Sequence, residues 1–362
     1  MGTLAILLFV AATGLQLFFW GFLLRQWPTP MAVPTFTKPV SVIICAHNEA
    51  FNLQQNLPRF LRQDYPNFEI IVVDDHSTDD TADVVRTLSK QHPQLRLLCL
   101  SQPSGPGKKE ALAAGIAAAN ADFLLLSDAD CQPLSPQWIQ TMMNGFRDGT
   151  DLVLGFSPYQ KLPGLLNACI RFEALYTALQ YISLAAAGLP YMGVGRNLAY
   201  RKSFFIGAGG FRQHAHIASG DDDLLVNAAA KRRNTCIVVS PAAWVASTPK
   251  VRWRDYFRQK QRHLSTATHY RPLHQLVLGA LSGSHFLHFA AAVPAWLSGL
   301  PAAWILSLML LRGLFLFLTW KRTLRRLEQS DLLPHIFLLD FLFLLFYLVF
   351  APSLFFSKRN SW

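Results

Sequence analysis

The sequence predicts an α/β domain with a mostly parallel, Rossmann-like sheet, joined to transmembrane α-helices at both ends of the chain. Three observations predict it. Short apolar runs alternate with helical stretches between Val40 and Val251, no charged residue occurs from Gly2 to Leu24, and apolar character returns from Leu273 onward. Composition agrees: of 362 residues, 51% are hydrophobic and only 15% charged, against about 25% charged in an average soluble protein, which excludes disorder and disfavours a purely soluble chain.

The elements follow in order. Residues 1–26 read as a transmembrane helix, because an uncharged run of this length at about 1.5 Å per residue crosses a hydrocarbon core of about 30 Å. A signal peptide is disfavoured, since no basic segment precedes the run and no small-residue cleavage site stands out before Pro28. Residues 27–39, with prolines and no periodicity, read as a linker. In residues 40–251 the runs VSVIICA, FEIIVVDD, LRLLCL and DFLLLSD have the character of buried parallel strands. Between them, helices are expected over 48–63 with an interruption at Pro58, over 77–91, and over 109–120 after the loop SGPGKK. Repeated strand–helix units make a parallel sheet, whose ligands bind at the carboxyl ends of its strands.

Residues 252–272 read as an amphipathic interfacial segment, and residues 273–362 as a transmembrane region with spans near 273–297, 300–320 and 332–356. The basic run KRTLRR (Lys321–Arg326) separates the last two. The positive-inside rule places that run, Arg25 and the α/β domain in the cytoplasm of a multi-pass inner-membrane protein, and the C-terminal SKRNSW outside. Arg312 and Asp340 interrupt two spans, each about 13 to 14 Å from the same boundary, so an interhelical ion pair is expected. His285 and His288 share one helical face and either line a path or hold helices together. Five cysteines without a metal-binding spacing read as small buried apolar residues.

The candidate chemistry is acidic. In VVDDHSTDDT, Asp74 and Asp75 end a strand, while Ser77, Thr78 and Asp79 begin a helix that they would cap. In SDAD, Asp128 and Asp130 leave the same sheet edge; two carboxylates suit Mg²⁺ or Mn²⁺ shared with phosphate oxygens, or form an acidic turn. GDDDLL places Asp221, Asp222 and Asp223 before a helix, more carboxylates than a cap requires, which favours a proton acceptor or a cation site. Arg262, in RQKQRH, suits bidentate phosphate contact, whereas Arg252, Arg254, Arg258 and Lys260 read as a solvated or headgroup-facing helix face.

The order AHNE, VVDDHSTDDT, GKKEAL, SDAD, GDDDLL, QKQRH resembles the family 2 inverting glycosyltransferases of the GT-A fold over residues 39–264. It is most similar to the membrane-embedded branch that includes the cellulose and hyaluronan synthases. The resemblance implies that Asp75, with Asp74 beside it, contacts the nucleoside, that Glu49 lies near the ribose or base, and that Lys108 and Asp128 approach the nucleotide. It further implies that Asp130, with Asp128, holds Mg²⁺ or Mn²⁺ on the diphosphate, that Asp222 is the general base with Asp221 as fallback, and that Gln259 and Arg262 close over the diphosphate. On the acceptor side stand His263, where the branch has Trp, and Asn197 of GRNLAYRK. The departure at His263 bears on processive elongation.

The expected partners are a nucleotide sugar, a UDP-sugar first, a glycan or lipid-linked acceptor, and the lipid bilayer. A transporter or scaffold with a degenerate nucleotide-binding domain is the alternative. The net charge of +11 suggests nucleic acid only in isolation, because the basic residues flank spans or the candidate diphosphate site.

Overall fold

The computed structural model describes residues 2–28, 35–102, 107–217 and 219–350, which form two compact units, residues 28–269 and residues 2–27 with 270–350. Helix α1 (Gly2–Arg25) opens the chain. The α/β unit then runs β1 (Val40–Ala46), α2 (Ala50–Leu61), β2 (Phe68–Asp74), α3 (Thr81–Ser89), β3 (Leu95–Cys99), α4 (Lys109–Ala118) and β4 (Phe123–Asp128). It continues with β5 (Cys131–Pro133), α5 (Trp138–Met143), β6 (Leu152–Leu154), α6 (Leu165–Ala186), β7 (Leu198–Arg201), α7 (Lys202–Gly207), α8 (Asp223–Ala229), β8 (Thr235–Ile237), β9 (Val245–Ser247) and α9 (Trp253–Leu264).

Seven strands form one sheet in the order β3-β2-β1-β4-β7-β6-β8, and β5 pairs with β9 in a second ribbon. Every main-sheet pair is parallel except those of β7 with β4 and β6. All four strands expected from sequence are present: β1, β2 and β4 are covered on both faces and so free to be mostly apolar, with buried Ser41 the polar exception in β1, while β3 is a partly exposed edge strand. Register positions the chemistry: Asp74 lies opposite Ala46 and Asp128 opposite Cys45, so both acidic motifs leave the sheet at its carboxyl edge.

Two helices depart from expectation. Helix α2 continues through Pro58, since the packing of Leu53, Leu57, Phe60 and Leu61 outweighs the missing hydrogen bond. The helix expected from Ser77 starts instead at Thr81, for a reason given by the site. Cysteine burial is also uneven: Cys45 and Cys131 are buried and Cys169 and Cys236 half-buried, but Cys99 at the end of edge strand β3 is exposed.

The helical unit combines α1 with α10 (Pro272–Ala290), α11 (Ala292–Leu297), α12 (Ala302–Arg326) and α13 (Ile336–Phe350). Three of its helical segments are long and apolar enough to cross a membrane: Gly2–Arg25, Ala302–Arg326 and Ser330–Phe350. Among the described residues, the C-terminal region therefore holds two such segments where three were expected. The stretch 273–297 breaks between α10 and α11, and His274, Gln275, Ser284, His285 and His288 reduce its apolar character. Arg312 and Asp340 form the expected pair, with Nη1 2.6 Å from Oδ2 and Nη2 3.1 Å from Oδ1. Gln16 Oε1 accepts from Arg312 Nε at 3.2 Å, and His285 Nε2 lies 3.3 Å from Asp340 Oδ1. His288 Nδ1 lies 2.8 Å from Thr13 Oγ1, so both histidines join helices. SKRNSW and residues 351–356 lie outside the described residues, as do residues 29–34 of the linker and 103–106 of the SGPGKK loop.

Candidate active site

The first acidic motif shapes the start of α2. Asp74 Oδ1 accepts from the Ser77 N–H at 3.3 Å, and the Asp75 N–H donates to Ala46 O at 2.9 Å. Asn48 and His76 adopt φ 56 and 55, a left-handed backbone that Asn tolerates better than most residues. Three amide N–H groups at the start of α2 then find side chains. Asn48 donates to Ser77 Oγ at 2.9 Å, Glu49 to Thr81 Oγ1 at 2.8 Å and Ala50 to Asp79 Oδ2 at 3.1 Å. The segment thus caps α2 as well as its own helix, where Asp79 Oδ1 accepts from the Thr81 N–H at 3.1 Å, and α3 begins only after these side chains are engaged. Burial pushes the Glu49 carboxyl up, against the hydrogen bond from Asn52.

The second motif meets a cation. Lys108 Nζ lies 2.7 Å from Asp128 Oδ1 and 3.2 Å from Asp221 Oδ2, joining two motifs remote in sequence. Burial alone would lower its pKa, but the carboxylates outweigh burial and hold the ammonium well above its ordinary value. Burial together with Asp128 pushes the Asp130 carboxyl up. Ligand atoms of Asp128, Asp130 and Cys131 lie within 4.8 Å of one another. Burial pushes the Cys131 thiol well up, so it stays protonated, and the effective donors are two carboxylates whose mutual repulsion a hard divalent cation relieves. That donor chemistry fits Mg²⁺ or Mn²⁺.

The third motif separates its carboxylates by role. Asp221 faces Lys108. Asp222 caps α8, accepting from Asp223 N–H at 2.7 Å with Oδ1 and from Gly195 N–H at 2.6 Å with Oδ2. Asp223 Oδ2 accepts from Thr266 Oγ1 at 2.5 Å. Burial, Asp221 and Asp223 push the Asp222 carboxyl up to about 7 against the pull of Lys108. Two glycines fit closely here. A Cβ on Gly195 would sit 3.2 Å from Asp222 Oδ2, and Gly220 has φ +92 with Leu224 Cδ1 only 2.5 Å from where its Cβ would be.

The structure brings Glu49, Asp74, Asp75, Lys108, Asp128, Asp130, Asp221 and Asp222 to one edge of the α/β unit. Helix α9 carries Gln259, Arg262 and His263; the Arg262 charge acts on Asp128, and burial, followed by Lys260 and Arg262, holds the His263 imidazole well below its ordinary value. Arg252, Arg254 and Arg258 are exposed as expected, but Lys260 is buried and ion-paired with Glu173 of α6. Burial makes that partner necessary, and single-sequence periodicity does not reveal it. Asn197 is fully buried: its Nδ2 donates to the carbonyls of Phe156 (2.7 Å) and Ala243 (2.8 Å), and its Oδ1 accepts from Trp138 Nε1 at 3.0 Å.

Sequence reasoning missed three participants. Lys109 is 4% exposed and donates to the carbonyls of His214, Ile217 and Ser219 at 2.6 to 2.7 Å, fixing the loop before the acidic triad. Thr266 and Glu173 were equally silent, because their partners lie far away in sequence. Gly195 and Arg196 lie inside GRNLAYRK, where the signal was present but rested on Asn197.

Residues 41–205 match the family model Glycosyl transferase family 2. A "Probable glycosyltransferase YdaM" of Bacillus subtilis is 29% identical, over 62% of this chain and 54% of its own length. "Glycosyltransferase AglE" of Haloferax volcanii is 35% identical, over 33% of this chain and 40% of its own. The chain thus spans about half the length of the curated relatives it matches. Among solved structures, the mannosyltransferase PcManGT from Pyrobaculum calidifontis, in complex with GDP-Man and Mn2+, aligns with a TM-score of 0.61 at 21% identity, covering 94% of this chain and 98% of that one. The α/β unit has the GT-A fold, and the family 2 glycosyltransferase match lies within it.

Proposed function

We propose that this chain, which carries a family 2 glycosyltransferase domain, is a membrane-bound inverting glycosyltransferase. It would take a sugar from a cytosolic nucleotide sugar to a lipid-linked or growing glycan acceptor, with Asp222 as general base. The observation that carries this reading is the Asp222 carboxyl, pushed up to about 7 and oriented by two backbone N–H groups, beside Asp221, which Lys108 ties to Asp128 of the D-x-D motif. A base near the working pH combines availability with basicity.

In the displacement, Asp222 accepts the proton of an acceptor hydroxyl as its oxygen attacks the anomeric carbon from the face opposite the diphosphate. The bond from that carbon to the diphosphate oxygen breaks, and its electron pair leaves with the nucleoside diphosphate. Asp130 and Asp128 would hold Mg²⁺ or Mn²⁺, which neutralises diphosphate charge when bound. Lys108 orients Asp128 and Asp221, Arg262 adds a cation toward the leaving group, and Gln259 lies on the same helix. Glu49, Asp74 and Asp75 line the nucleoside end. His263 would face the acceptor, and Asn197 would act there by fixing the Gly195–Asn197 turn that holds Asp222. No second catalytic carboxylate is needed, because the diphosphate leaves without protonation, unlike a hydrolysed glycoside.

The test is nucleoside diphosphate release by the full chain in lipid, across UDP- and GDP-sugars, with Mn²⁺, Mg²⁺ or chelator. Metal-dependent release with at least one donor is expected. Absence of both release and nucleotide binding would instead favour a scaffold with a degenerate domain.

A further inference from the structure

Arg196 is a cation held in place by neutral groups. Its Nε donates to Ser157 Oγ at 2.8 Å and its Nη2 to the Ser157 carbonyl at 3.3 Å, while the guanidinium lies 4.7 Å from the centre of the Tyr159 ring. Nη1 lies 3.5 Å from the Tyr159 hydroxyl. Ser157 and Tyr159 are 2% and 6% exposed, so this support is rigid. Among the described residues, the hydrogen-bond partners of Arg196 are neutral oxygens, none of them a carboxylate.

Its position is fixed by the neighbouring residue. The Gly195 N–H donates to Asp222 Oδ2 at 2.6 Å, so Arg196 begins one residue from the contact that orients the proposed base. Its charge acts on Asp128 and Asp130 as well. A guanidinium has N–H groups in a planar fork, and those not used by Ser157 and Tyr159 remain for an oxyanion. Neutral hydrogen bonds orient a charge without neutralising it; an anion arriving with the substrate does both.

We propose that Arg196 binds a phosphate group in the reacting complex, either the diphosphate of the nucleotide sugar or a phosphate carried by the acceptor. This rests on the glycosyltransferase reading above. The test uses the full chain in lipid with Mn²⁺, comparing wild type with Arg196→Gln and Arg196→Lys. UDP and GDP affinities are measured by calorimetry, and nucleoside diphosphate release is followed against decyl phosphate and decanol.

Arg196→Gln is expected to weaken one phosphate interaction about tenfold, and Arg196→Lys to recover part of the loss. Lower nucleotide affinity identifies the donor diphosphate as the source. Unchanged nucleotide affinity, with a tenfold shift for decyl phosphate but none for decanol, identifies an acceptor phosphate. If both responses stay at wild-type values, the proposal is overturned. Should Arg196→Gln fail to fold, the same two measurements on Arg196→Lys decide, because a point charge replaces the fork. If wild type binds neither UDP nor GDP, the glycosyltransferase reading falls and takes this proposal with it.

Discussion

At the residue scale, Asp222 shows how surroundings fit one side chain for the role of base proposed for it. Its carboxyl would be an ordinary helix cap in water; buried beside Asp221 and Asp223 it is pushed up to about 7. Activity should therefore fall as pH drops below about 7, because the base becomes protonated. Stability should run the other way. A carboxyl whose folded pKa is raised favours the protonated form in the fold, so its contribution is complete below about 4 and lost as pH rises through about 7. Asp222→Asn should abolish turnover, leave nucleotide affinity within about twofold, and raise the thermal midpoint at pH 8 more than at pH 5. Turnover assays and melting curves at the two pH values check this, and a mutant that turns over normally removes Asp222 as base. The identity of these acids was legible because adjacent carboxylates in excess of a cap are unusual. The Gly195 amide that orients Asp222 was not, since backbone donors leave no mark on sequence.

At the element scale, the strands were legible and the helix starts were not. Strands β1, β2 and β4 are buried on both faces and read directly as apolar runs. The beginning of α3 was hidden because Ser77, Asp79 and Thr81 cap α2, about 30 residues away in sequence. Helix α9 shows the same limit: its basic face looks solvated throughout, yet Lys260 turns inward to Glu173. Removing one member of a buried pair leaves a stranded charge, which costs about 3 to 5 kcal/mol, whereas replacing both with neutral residues of similar size is close to neutral. Lys260→Met and Glu173→Gln alone should each lower the thermal midpoint and transferase activity, because α9 also carries Gln259, Arg262 and His263. The double variant should recover most of the midpoint. Equal loss in all three proteins would show that the pair does not orient α9.

At the scale of the whole molecule, the charge of +11 finds its meaning in where the basic residues lie. In the helical unit, Arg326 packs 5.1 Å from the Trp27 ring and Arg322 donates to the Leu24 carbonyl, so the basic ends of α1 and α12 are together. One end of that unit is thus positive, and the positive-inside rule predicts the cytoplasmic side for it in the topology proposed above. The proposed cytosolic donor requires the α/β unit, which follows α1 in sequence, to lie on that same side. A native thiol tests the assignment. Cys99 is exposed, while burial raises the thiols of Cys45, to about 12, and of Cys131, Cys169 and Cys236, keeping them protonated and slow to react. A membrane-impermeant maleimide should therefore label the protein in sealed inside-out vesicles but not in right-side-out ones, and Cys99→Ser should remove most of the signal. Labelling from the outer face alone would put the catalytic unit on the wrong side of the membrane for a cytosolic nucleotide sugar, and the proposed donor route would fail even if the isolated active site remained competent.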